Sequence, residues 1–216
     1  MFTSYEAFNE LDKEFSINSD RGVAIISASF IDGLLQELII AYFIEDQKHD
    51  NDIFKGNGSL NSFSSKISIV YRLGLISINE YKLLEIIRSI RNKFAHNIID
   101  ANFNDQSIKD KCKNILIPEN MIIPKIIPLP NEKGEHPPII IDKINFDNPR
   151  ELFQEAIRYI IDVLSGRLVR AIKEKRVAPS EYKNATDPRK DLLNYLVEQK
   201  KQVKELEKQV GESSEN

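Results

Sequence analysis

Apolar residues at the start of the chain recur every three to four positions, the spacing of amphipathic helices rather than the alternation of strands. Tyr5, Phe8, Leu11 and Phe15 predict a short helix over 3–16, followed by Asn18, Ser19 and Asp20 as N-cap oxygens for the next. From Arg21 to about Ile44 one stripe runs through Ile26, Phe30, Leu34, Leu38 and Ala41. A second, through Val23, Ile31, Leu35, Ile39 and Tyr42, lies beside it. A helix apolar over so much of its circumference is expected to be central, packed by several neighbours. Residues 45–62 are polar with two glycines and read as a loop.

The pattern resumes at Phe63–Leu73, with Ile67, Val70 and Tyr71 inward and Gly74 as a C-terminal cap. Ser77-Ile78-Asn79-Glu80 is a capping box, in which the two outer side chains satisfy each other's free backbone donors. It starts a helix through EYKLLEIIRSIRNKFAHN that buries Leu83, Leu84, Ile87, Ile90 and Phe94. After about Asp100 the pattern breaks. Seven of the nine prolines fall within 117–149, a density that forbids long helices. The pieces MIIPKIIPLP and PPIIIDKI suit short edge strands or a β-hairpin around Asn131–Gly134, an insertion or arm on a helical body.

Asp147-Asn148-Pro149 then supplies an N-cap and a first-turn proline. The helix from Arg150 to about Arg176 turns Phe153, Ile157, Ile160, Ile161, Leu164, Leu168 and Ala171 inward. Pro179 and Pro188 bracket a linker. Beyond it Leu192, Leu196, Gln199, Val203, Leu206 and Val210 step alternately by four and three, a heptad seam. That tail either pairs with a second chain or protein partner, or folds back alone. The organisation is thus an all-α bundle over 1–178 carrying a proline-rich arm at 117–148, a linker at 179–188, and a coiled-coil-like helix at 189–210.

Composition narrows the function classes. The 216 residues are 41% hydrophobic and 29% charged, enough for a soluble core. The single cysteine, Cys112, excludes an internal disulfide and any multi-thiolate zinc site. The start of the chain lacks the basic-then-apolar order of a signal peptide, and no uninterrupted apolar run approaches a membrane span. A cytoplasmic protein without membrane, metal or cofactor is expected. The formal charge of −3 hides an asymmetry: residues 1–55 carry −7, whereas 149–210 carry +4. Much of the positive excess lies in Arg167, Arg170, Lys173, Lys175 and Arg176. This run is a candidate contact for RNA, DNA or an acidic partner; its other reading is a solvated helix face.

One constellation carries chemistry. Arg91-Asn92-Lys93-Phe94-Ala95-His96 has the Arg-x4-His pattern, which resembles the HEPN superfamily of helical bundles. That resemblance implies a dimer whose paired motifs form a metal-independent endoribonuclease, with Arg91, Asn92 and His96 as catalytic residues. A histidine near its ordinary pKa of about 6.5 can shuttle the ribose proton. An arginine can stabilise charge gathering on the phosphoryl oxygens. Positions 91 and 96, however, lie about 140° apart on an ideal helix, so convergence needs the arginine to curl round, the helix to end there, or a second protomer to complete the site. In the structural alternative Arg91 pairs with a carboxylate such as Asp20 or Asp32, and His96 caps the helix.

A longer likeness covers residues 20–97, through RGVAIISASFIDGLLQELI and the series SFSSKI…YRLGLIS…EY…IRSIRNKFAH. It is similar to the mannitol operon repressor (MltR) family, and that family's RN-x-FAH ending coincides with the Arg-x4-His element. The resemblance implies an all-helical fold and negative regulation of transcription in a bacterium. No short helix pair has the form of a helix-turn-helix with a base-reading helix, so a co-regulator acting through protein contacts is the expected form. The ribonuclease, a toxin or defence effector, is the alternative.

Overall fold

The helix at Asp20–Tyr42 (α2) organises the molecule, and it forms there because Ser19 stops the preceding helix and caps this one. The Ser19 hydroxyl accepts from the Gly22 backbone N–H at 3.2 Å. In the computed structural model, residues 4–96, 101–122, 133–135, 145, 147–178 and 187–213 are described. Among them are eight α-helices, a 3-10 turn at Glu119–Met121, and no strand. The helices are α1 (Ser4–Ile17), α2, α3 (Gln47–Phe54), α4 (Phe63–Arg72), α5 (Ile78–His96), α6 (Gln106–Cys112), α7 (Pro149–Lys173) and α8 (Pro188–Ser213). The chain divides into two units, Met1–Arg176 and Val177–Asn216. The first is the all-α bundle that the periodicity predicts.

Within that bundle α2 and α7 run parallel. Arg150 at the start of α7 bonds Asp20 at the start of α2, and Arg176 past the end of α7 lies over the Tyr42 ring at the end of α2, 3.7 Å from its centroid. The helix α5 runs the other way: Glu80 at its first turn is held by Arg167, late in α7. Ile31, Leu35, Leu38 and Ile39 of α2, Leu84, Ile87 and Ile90 of α5, and Ile157, Ile160 and Leu164 of α7 fill the space between them, each essentially without solvent contact. α4 closes one side through Ile67 and Val70, and Lys66 reaches both oxygens of Asp32 at 3.0 and 3.1 Å. α2 is long and apolar enough by composition to cross a membrane; here its inner face is core.

The ends of the helices follow local rules. Gly74 takes φ 71°, and the backbone donors of Gly74 and Leu75 reach back to Tyr71 and Val70, a Schellman closure that only a left-handed residue permits without strain. The capping box forms as expected: Ser77 N–H donates to Glu80 at 2.6 Å, and Glu80 N–H to Ser77 Oγ at 3.3 Å. Asn148 caps α7 by accepting from Arg150 and Glu151, with Pro149 in the first turn.

Three expectations change. Residues 45–62 are not all loop: Asp46 caps the short α3, whose Phe54 is buried. With Ile53 and Phe54 as its apolar residues, that turn offers no periodicity to read. α6 likewise forms in the stretch after Asp100, anchored by Ile108 and Cys112. The third concerns α2 itself. The stripe of Val23, Ile31, Leu35 and Ile39 is buried, but Ile26 and Phe30 of the other stripe are 37% and 38% exposed. Of the proline-rich arm, residues 133–135 form a turn with Gly134 at φ 78°; the apolar pieces expected to form edge strands lie outside the described residues.

Candidate functional site

The end of α5 is built by Phe94, which locks the last turn into the core. Its ring lies 5.1 Å from that of Phe103, which lies 5.2 Å from Phe153 on α7. Phe103 in turn is fixed by its backbone N–H, donated to Asp20 at 2.8 Å. Asp20 also receives the Arg150 guanidinium at 2.5 Å, and Arg150 donates further to the carbonyls of Phe15 and Asn18. One carboxylate therefore ties together the starts of α2 and α7 and the segment after α5.

With Asp20 engaged by Arg150, and Asp32 by Lys66, neither is the partner of Arg91. Arg91 instead donates to the Asn92 side-chain oxygen at 3.1 Å. The helix continues unbroken from Arg91 to His96, so the two side chains leave it about 140° apart. His96 is exposed in the last turn, where a positive charge is favoured by the helix dipole. Arg88, which shares a side with Asn92 and His96, is held by Glu85 at 2.6 and 3.1 Å. The structure thus brings Arg91 to Asn92, and leaves His96 on another face of the helix within this chain.

The basic run at the end of α7 separates into two kinds. Arg167 forks onto Glu80 at 2.6 and 2.7 Å and donates to the Leu75 carbonyl at 2.6 Å. Burial alone would raise the Glu80 carboxyl, but the Arg167 hydrogen bonds and the Ser77 N–H outweigh it and hold Glu80 below its ordinary pKa. Arg176 stacks on Tyr42 and donates to its hydroxyl, and Lys175 lies 3.5 Å from Glu45. Arg170 and Lys173 are exposed in the last turn of α7, where cations complement the helix carbonyls.

Two features escaped the sequence reading. Arg158, 6% exposed, donates to Asp12 at 2.9 Å, and its guanidinium carbon lies 5.6 Å from the centre of the Phe15 ring. It fastens α1 to α7. The other is the outer face of α2: Ile26, Phe30, Gly33, Glu37 and Ile40 are all exposed along one line. Ile44 follows, 46% exposed. A Cβ placed on Gly33 meets nothing within 4 Å, so the stripe is open at its middle. Exposed Glu37 lies within it, and Glu45, just past its end, is met by Lys175. Among the described residues no cluster of three His, Cys, Asp or Glu is placed to hold a metal. Cys112 is buried, which pushes its thiol up to about 12 and makes it a poor nucleophile.

Residues 18–158 match the family described as mannitol repressor. Among curated proteins none matches the chain. A solved structure, that of the MtlR–HPr complex from Escherichia coli determined by X-ray, is similar with a TM-score of 0.46 and 16% identity, over 76% of this chain and 97% of that one.

Proposed function

We propose that this chain, which belongs to the mannitol repressor family, is a cytoplasmic negative co-regulator of bacterial transcription that acts by docking a partner protein on the outer face of α2. The observation that carries the docking surface is that face itself. A central helix with a fully buried inner side leaves Ile26, Phe30 and Ile40 exposed in one line, and burying such a stripe is worth roughly 25 cal/mol per Å² of apolar area. Glu37 within the stripe favours a partner that sets a lysine or arginine beside its apolar patch.

HPr, the partner in the Escherichia coli complex, is the first probe. Titration calorimetry is expected to show binding to the full chain, and Phe30→Asp to weaken it by about thirtyfold or more, as for a residue central to an interface. Equal binding by wild type and Phe30→Asp would move the docking surface elsewhere. No binding of HPr by a folded wild type would exclude that partner.

The ribonuclease reading requires His96 and Arg91 to meet across two protomers. Under the co-regulator reading, RNA incubated with the wild type in EDTA stays intact, as it does with His96→Ala. Cleavage by the wild type that disappears in His96→Ala would replace this proposal with the enzymatic one.

A further inference from the structure

The tail helix α8 lies beyond the residues that match the family, and its sequence fits no solvated helix. It spans Pro188–Ser213 as one helix of 26 residues. Its seam starts with Leu192, Leu196, Gln199 and Val203, and the sequence continues the same steps through Leu206 and Val210. Leu192, Leu196 and Val203 are each 50–59% exposed. An apolar seam in heptad register gains its stability when a second helix covers it.

We infer that the cover is α8 of a second copy of this chain, parallel and in register. The heptad steps make Leu196 and Val203 a positions, and Leu192 and Gln199 d positions. The choice of orientation follows from the one polar position in the seam and from the residues beside it. In a parallel pair Gln199 meets Gln199 of the second copy, and the two amides can hydrogen-bond to one another. The flanking pair is then Tyr195 with Lys200, which are not of like charge. Run antiparallel over the full seam, each Gln199 faces Val203 and is left without an amide partner, and Lys200 faces Lys200. Both mismatches cost stability, the first because a polar group loses water without regaining a bond, the second by repulsion. The glutamine therefore fixes register and direction, as a lone polar residue in a coiled-coil seam does.

The test uses the full chain. Light scattering after size exclusion is expected to give twice the 24.9 kDa of one chain, and the pair Leu196→Glu with Val203→Glu to give the monomer with its thermal transition intact. Leu192→Cys, which leaves Gln199 in place, is expected to cross-link into a dimer on mild oxidation, because equivalent positions face one another only in the parallel register; buried Cys112 does not compete. A monomeric wild type, or a dimer that survives both glutamates, overturns the inference. A Leu192→Cys dimer that stays unlinked overturns the parallel arrangement.

Discussion

Arg167→Ala is expected to destabilise the protein by about 1–3 kcal/mol, the usual consequence of leaving a buried acceptor without its partner. The direction of the asymmetry is set by exposure. The Glu80 side chain is 7% exposed and that of Arg167 is 30% exposed, so removing the arginine strands the more buried charge. Glu80→Ala, which leaves a guanidinium that water reaches, should cost less. The acid dependence checks the mechanism. In the wild type Glu80 titrates below its ordinary value, so its contribution is complete above about pH 4.3 and is lost as the pH falls through the folded-state value. In Arg167→Ala the carboxyl lies higher, because burial remains and the arginine does not. The gap between the two proteins should therefore narrow between pH 7 and pH 4 in urea denaturation. A gap of constant size would mean that Arg167 acts by packing rather than by its charge.

This pair also marks the boundary of what the chain disclosed. Glu80 was legible as half of a capping box, because its partner Ser77 is three residues away and the rule is local. That the same carboxylate also receives Arg167, 87 positions later, depends on α5 and α7 being antiparallel, which no local pattern encodes. Asp20 repeats the case: readable as a cap candidate, it serves as the anchor of Arg150. The arginine run at 167–176 looked uniform for the same reason. In the fold Arg167 holds α5 and Arg176 lies on Tyr42, while Arg170 and Lys173 stand in solvent.

The candidate docking face was hidden differently. Periodicity grouped Ile26 and Phe30 with Leu38, which the fold buries, and put Ile40, which it exposes, in neither stripe. Counting apolar positions favours burying both; α4, α5 and α7 together cover one side. The Arg-x4-His element shows the converse. The helical angle between Arg91 and His96 was computable from spacing, and an unbroken α5 preserves it. What spacing could not give was the engagement of Asp20 and Asp32 elsewhere, which leaves Arg91 to Asn92.

Phe103→Ala is expected to cost about 3–5 kcal/mol, which lowers the melting temperature of a chain this size by about 10 °C. Phe103 is 2% exposed and is the middle ring of three, between Phe94 and Phe153. Its loss opens a cavity lined by two rings that each lose a tilted aromatic partner. The damage should also be uneven. Phe94 belongs to the last turn of α5, so amide exchange at 91–96 should accelerate more than exchange at 83–87, where Leu84 and Ile87 keep their neighbours. Phe30→Asp supplies the contrast, because that residue is 38% exposed in the isolated chain whereas Phe103 has almost no solvent contact. It should cost about 1–2 kcal/mol, less than Phe103→Ala, while weakening docking by about thirtyfold or more. If instead Phe30→Asp unfolds the protein and Phe103→Ala does not, the inner and outer faces of this bundle have been assigned the wrong way round.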